Sequence, residues 1–443
     1  MQRRDLLKAM AAFGVYSMMP AIARGANVAR KYEGVTLNVS TFSTAWPQLI
    51  RKWLPEFEAL TGAQVQLDTP AFPVYNQRAD LELSTRGSAY DVVNVTFIYT
   101  SRWINAGWLT PLNEFITNPN LTPQDWGLQD FLPATLAAET GRDGQLYGIP
   151  YVVEAMLAGA SRYDLIQQAG LEFPKTTDEL VKVLQAVNKK ERVAGYVTDN
   201  HYGWTFIPYL QAFGGNVFRT PPDDLFPTLD TPEAVEAADY FARLIRDFGP
   251  NGGITYTADQ SLQALKQGRV NVSDASQTYL AQLGNAQTSR TLKTAHFGSM
   301  VSGPKGAFPG MATHALGIPA GSKNKEAAWA FIQWSLSKQM TARALEAGYG
   351  SPTRRSDIDS QAFRSNQVIN GVDLAQLSID AIDKAGKGGY MKYRTVEFYP
   401  QVDQQLNKAI ALIASGQLSA KEAMAQAQAG TLSDLKRAGA KLS

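Results

Sequence analysis

The sequence predicts an α/β protein, and three observations carry that prediction. Short β-type runs alternate with apolar stripes of helical period along most of the chain. The run Asp91-Val-Val-Asn-Val95 is almost continuously apolar, as expected of a strand covered on both faces of a parallel sheet. Helix-opening signals also stand where the period changes, at Thr176-Thr-Asp-Glu179 and at Thr231-Pro232.

In chain order, Val35-Thr-Leu-Asn-Val39 alternates and reads as the first strand. Leu49, Trp53, Phe57 and Leu60 then fall on one helical face, which Gly62 stops. Val65-Gln-Leu67 is the next strand, followed by the run at 91–95. Thr176 opens a helix carrying Leu180, Val183, Leu184 and Val187, with Glu179 completing a capping box. Thr231-Pro232 opens another, with Val235, Phe241, Leu244, Ile245 and Phe248 on one face. Arg269-Val-Asn-Val-Ser273 and Ala315-Leu-Gly-Ile318 read as later strands, and a helix opened by Ser322 carries Ala327, Ala328, Phe331 and Ile332. Glycine- and proline-containing breaks lie near 147–150, 302–306 and 348–352. By pattern alone they are either three crossings between two lobes or simply loops.

Composition narrows the function. The chain has 443 residues, 44% hydrophobic and 19% charged, enough for a substantial core. Its 42 basic residues nearly balance 40 acidic ones, so no polybasic surface for nucleic acid is expected. The absence of cysteine excludes disulfides, thiolate metal sites, a cysteine nucleophile and a lipoprotein anchor.

The first residues read as an address. Arg3 and Arg4 precede an apolar run over 9–23, and Ala-Ile-Ala then Arg-Gly-Ala close it. That run is too short for a spanning helix of about 20 residues, and the paired arginines resemble a twin-arginine export signal. Cleavage after Ala26 removes Arg3, Arg4, Lys8, Arg24 and Asp5, turning a net charge of +2 into −1. An exported, soluble protein of the periplasm is expected, without stable membrane insertion.

No catalytic constellation emerges. His201, His296 and His314 are scattered, outside any zinc-binding spacing, so no metal is expected. Walker A, Gly-x-Ser-x-Gly and dinucleotide fingerprints are absent, so neither a cofactor nor a catalytic residue is assigned. Ser335-Leu-Ser-Lys338, Thr198-Asp-Asn200 and Lys293-Thr-Ala295 approximate the penicillin-recognising set, but run in the wrong chain order, with Ser335 late in an amphipathic helix.

Several phrases, in order, carry a family resemblance: Phe57-Glu-Ala-Leu-Thr-Gly-Ala-Gln-Val65, Ala106-Gly-Trp-Leu-Thr-Pro-Leu112, Tyr147-Gly-Ile-Pro-Tyr151, Pro174-Lys-Thr-Thr-Asp-Glu-Leu180, Ala212-Phe-Gly-Gly215 and Ile318-Pro-Ala-Gly-Ser-Lys. Over roughly 35–360 the chain resembles the extracellular solute-binding proteins of carbohydrate ABC importers, the maltose-binding type. The resemblance implies a two-lobed periplasmic-binding-protein (Venus flytrap) fold with three crossing segments. It places a signal peptide at 1–26, an N-lobe at 27–147 and 316–350, and a C-lobe at 148–315 and 351–443. It further implies a monomeric, non-enzymatic receptor for a sugar or sugar alcohol, partnered by ABC importer permease subunits. The alternatives are an exported carbohydrate-active hydrolase or a receptor for an acidic or phosphorylated polyol.

A polyhydroxylated ligand calls for flat aromatic faces and planar polar groups, placed on loops at strand ends. Trp46 and Tyr99 follow predicted strands, and Tyr151 and Glu154 lie just past the first crossing. By resemblance, Trp204 is the family's loop tryptophan and Asp274 the acid some polyol-binding members carry. His314 stands where many members have a Gly-Trp pair, and Arg354 past the third crossing pairs with a ligand carboxylate or braces the hinge. These eight are the expected ligand-binding residues.

Overall fold

The computed structural model describes residues 30–189, 192–388, 396–440 and 442. The expected signal peptide lies outside the described residues. Three parallel strands open the fold: β1 (Thr36–Ser40), β2 (Gln64–Asp68) and β3 (Val92–Thr96), in spatial order β2-β1-β3. The helix Ala45–Thr61 joins β1 to β2, burying Ile50, Trp53, Leu54 and Phe57. Gly62 caps it in the left-handed conformation (φ 81°), donating its N–H to the Glu58 carbonyl.

A twelve-residue strand, β4 (Ile149–Ala160), is the axis of the molecule. Its first half pairs antiparallel with β10 (Met311–Gly317), which in turn pairs with β3. Its second half leaves β10 after Ala155 and pairs from Met156 onward with β8 (Val270–Ser276). Beyond β8 lies β5 (Ala194–Val197), parallel to it, while β9 (His296–Gly298) pairs with the far end of β4; β6 (Phe218–Thr220) and β7 (Asp224–Pro227) form a separate antiparallel pair. One eight-stranded sheet therefore serves two lobes.

Each lobe has its own apolar interior. Leu37, Val39, Ile50, Phe57, Val92, Leu316, Trp329 and Phe331 fill the first. Leu184, Phe241, Val272, Leu406, Ile410 and Met424 fill the second, where the late helices Tyr399–Ala414 and Ala420–Arg437 pack.

Sequence expectations held for β1, β2, β3 and β8, for β10 in part, and for the threonine caps. Thr176 accepts the Glu179 N–H and Thr231 that of Ala234. Three details differ. Glu179 reaches the Lys175 N–H at 2.8 Å, so the box closes one residue further back. The helix assigned to Ser322 starts at Lys325, because the Ser322 hydroxyl is engaged by Asp91 at 2.7 Å. Ile149–Ala160, read as the residues after a break, is the longest strand; Gly148 and Pro150 disguised its start. The turn at 302–306 is bridged from Ser302 to Thr176, which opens the helix Thr177–Val187. Ser335 is buried and donates to the Ile332 carbonyl, which disposes of the penicillin-type pattern.

Candidate functional site

The site is best built outward from Glu154, one residue before the last β4 residue paired with β10. Its half-buried carboxylate accepts the Thr278 hydroxyl at 3.1 Å, and Thr278 shares a 2.7 Å bond with Ser276. Burial pushes the Glu154 carboxyl up, and the charge of Asp199 adds to that; bonds from Thr278 and Ser276 oppose it. The turn holding Thr278 is locked because the Gln277 amide donates to the Val153 carbonyl at 2.9 Å and accepts the Ala155 N–H. Chain segment 349–353 runs along the same strand. Tyr349 donates to the Tyr151 carbonyl (2.9 Å), Ser351 to that of Val153 (2.6 Å) and Thr353 to that of Pro150 (3.1 Å).

Across from Glu154 the loop after β5 brings Asp199 and His201. Asp199 is half-buried and accepts the His201 N–H at 2.8 Å; burial pushes its carboxyl up. The His201 Nε2 lies 2.9 and 3.1 Å from the Asp403 oxygens. Asn407 clamps this arrangement, donating to Asp403 (3.0 Å) and accepting the Gly203 N–H (3.0 Å), while the Tyr399 hydroxyl donates to the Gly203 carbonyl (2.6 Å). The approach demands glycine at 203, where a Cβ would fall 1.9 Å from an Asp403 oxygen. Trp204 meets Phe97 of the other lobe at 5.8 Å. Tyr99 stacks on Trp103 (5.6 Å, 25°), and its phenol is pushed up by burial and then by the charges of Asp80 and Asp403.

The first lobe contributes a different surface. His314 is wedged among Phe42, Phe97 and Phe72, at 4.7, 5.5 and 5.9 Å between ring centres. Burial pulls its pKa down to about 3, so the ring is neutral at ordinary pH. Trp46 packs on Tyr151 at 4.5 Å, and the Tyr151 hydroxyl donates to the Asn94 side-chain oxygen at 2.9 Å.

Thus Glu154 feels the charge of Asp199 and Tyr99 that of Asp403, while Phe97 packs against both Trp204 and His314. Trp46 and Tyr151 are only 2% exposed and cover each other instead of offering open faces. Two more of the expected residues are enclosed by the chain. Asp274 is 1% exposed inside the second lobe, where Tyr196 (2.9 Å) and Tyr209 donate to one carboxylate oxygen, and burial raises its pKa to about 6. Arg354 is fully buried: its guanidinium donates to the carbonyls of Leu336 (2.8 Å) and Gly127 (3.0 Å), contacts Asp130 at 3.4 Å and lies 4.0 Å over Phe131. It braces the chain and has no nitrogen free for a ligand.

Sequence reasoning missed Asp199, His201 and Asp403. The polar group Asp199-Asn-His201 directly after an apolar strand was a usable signal. Asp403, beyond the stretch carrying the resemblance, gave none. Among the described residues no cluster of acids and histidines is arranged to hold a metal ion, and no helix is long and apolar enough to cross a membrane.

Residues 42–342 match the family model described as bacterial extracellular solute-binding protein. A mannitol-binding protein of Pseudomonas aeruginosa is 26% identical over 388 residues, covering 83% of this chain and 85% of the relative. Two solved structures share the fold, each with a TM-score of 0.80. One is an ABC transporter solute-binding protein of Agrobacterium radiobacter K84 in complex with ribitol (21% identity; 90% of this chain, 98% of that one). The other is an Agrobacterium vitis S4 protein with bound D-mannitol (23% identity; 91% and 99%).

Proposed function

Because the chain belongs to the bacterial extracellular solute-binding proteins, we propose that it captures an uncharged sugar alcohol or sugar between its lobes and hands it to an ABC importer. The observation that carries the ligand class is the pair Glu154 and Asp199. Both carboxylates are half-buried where the lobes meet, and neither is paired with a lysine or arginine among the described residues. Such groups accept hydrogens from ligand hydroxyls and repel anions. The mannitol of the Pseudomonas relative, together with the ribitol and D-mannitol of the two structures, supports an alditol. An acidic ligand loses the two basic groups it would need, because Arg354 is committed internally and His314 is neutral.

Glu154, Asp199, Tyr99 and Trp204 contact the solute in this reading, with His314 on the opposite side. The N-lobe is 27–147 with 316–350, and the C-lobe is 148–315 with 351–443. Closure follows from the ligand touching both lobes, which stabilises the closed state by its preference for it. The chain works as an exported, periplasmic monomer after loss of residues 1–26, and importer permease subunits recognise its closed shape. It performs no chemistry on the ligand.

Isothermal titration of the chain lacking residues 1–26 tests this with D-mannitol, ribitol, maltose and gluconate. The expected result is one equivalent of a neutral polyol bound and recovered intact. Binding of gluconate alone, or turnover of any ligand, refutes the proposal.

A further inference from the structure

The first lobe holds a set of polar atoms that its own packing leaves unused. The Asn94 Nδ2, Thr96 Oγ1 and His314 Nδ1 atoms are all buried without a hydrogen-bond partner among the described residues, on side chains that are 0, 0 and 3% exposed. Buried polar atoms are nearly always paired, so three orphans together call for an explanation.

They converge. His314 stands opposite Thr96 in the β10–β3 register, which puts the two side chains on one face of the sheet. Asn94 precedes Thr96 by two residues on β3 and shares that face. The loop after β1 and the first turn of the helix it feeds span the group: Phe42 touches the His314 ring, and Trp46 touches Tyr151, whose hydroxyl holds the Asn94 oxygen. Between them sits Thr44, the residue before the helix Ala45–Thr61. Its hydroxyl makes no cap bond, although threonine is a favoured cap, and is likewise unpartnered. β1 ends beside the start of β3, with Ser40 opposite Val93, so the loop after β1 runs past the C-terminal half of β3, the end at which open α/β sheets bind ligands.

We propose that Asn94, Thr96 and His314, with Thr44 at the rim, form a neutral pocket that takes adjacent hydroxyls at one end of the ligand. This inference rests on the receptor reading above and sharpens its substrate class. The amide donates, the two hydroxyls donate or accept, and the imidazole nitrogen takes either role by tautomer. A diol satisfies all four groups without charge, while Phe42, Phe72 and Phe97 cover its C–H surface. A carboxylate or phosphate at this end meets no cation. The pocket therefore selects an end that bears hydroxyls and no charge, and the Glu154 side takes the remainder.

The test uses Thr96→Val and Thr96→Ser in the full mature chain, with D-mannitol and ribitol as probes. Thr96→Val is expected to leave the unfolding midpoint of the empty protein unchanged or about 1–2 °C higher, since an unpaired hydroxyl is removed. Affinity should fall roughly tenfold. Thr96→Ser, which keeps the hydroxyl, should bind as the parent does, and His314→Phe should lose at least as much affinity as Thr96→Val. Parent-like binding by Thr96→Val overturns the pocket, and so does a joint fall of stability and affinity, which marks a purely structural hydroxyl. Failure of the parent to bind any neutral polyol refutes the receptor reading instead, before any variant is compared.

Discussion

The two sides of the cleft are built by opposite means. On the first lobe, rings pack around neutral groups: Phe42, Phe72 and Phe97 enclose His314, Trp46 covers Tyr151, and several polar atoms stay unpaired. On the second lobe, Asp199, His201, Gly203, Asp403 and Asn407 are joined by a chain of hydrogen bonds, and Asp199 stays partly exposed. Packing positions one half and polar bonding the other. The difference teaches that the halves should respond to different perturbations, volume and desolvation on one side, removal of a bond partner on the other.

The largest expected effect comes from breaking the bonded half at its closest approach. Gly203→Ala places a Cβ against the Asp403 carboxylate and 3.2 Å from its Cα, and Asp403 is held by His201 and Asn407. Chemical denaturation should record a loss of about 2–4 kcal/mol, with ligand binding weakened as well. An undisturbed variant would mean that the clamp does not shape this half. Next in size, Glu154→Gln keeps the shape but loses the charge, and titration calorimetry should find polyol affinity lower by about 1.5–3 kcal/mol. Stability of the empty protein should not drop, because burial already disfavours the ionised form. Equal affinity in the two proteins would remove Glu154 from the ligand's contacts.

The smallest effect separates the halves by pH. His314 is buried neutral with its pKa down at about 3, against 6.5 for a free imidazole. The unfolded chain therefore binds a proton below about pH 6.5 that the folded chain does not, and stability falls as pH falls through that window. Integrated from half protonation at pH 6.5, with a slope of about 1.4 kcal/mol per pH unit at most, this reaches about 1.6 kcal/mol by pH 5. His314→Phe should flatten the denaturation profile by that amount over this range. An identical slope in both proteins would show the ring to be wetter than its aromatic neighbours allow.

What the sequence made legible follows the same division. Local signals sufficed for β1 to β3, for Gly62 and for the caps at Thr176 and Thr231, because short-range chemistry decides them. Glu154 was expected from its place just past the break at 147–150, where the resemblance puts cleft residues. Burial, by contrast, depends on partners distant in the chain. Arg354 reads like a ligand arginine until carbonyls at 127 and 336 close on it. Asp274 reads like a cleft acid until Tyr196 and Tyr209 arrive from other elements. Asp403, some 200 positions after His201, became recognisable once the late helix had docked.

The strand β4 has a thermodynamic consequence. Its first half closes the row of one lobe's strands beside β10 and its second half lies between β8 and β9 of the other, with no loop between Ala155 and Met156. Unfolding either lobe strips hydrogen bonds and apolar cover from a segment continuous with the other, so the two interiors share their fate. Calorimetry should record one cooperative transition whose calorimetric and van't Hoff enthalpies agree, and a solute that tightens either lobe then protects the whole chain from proteolysis.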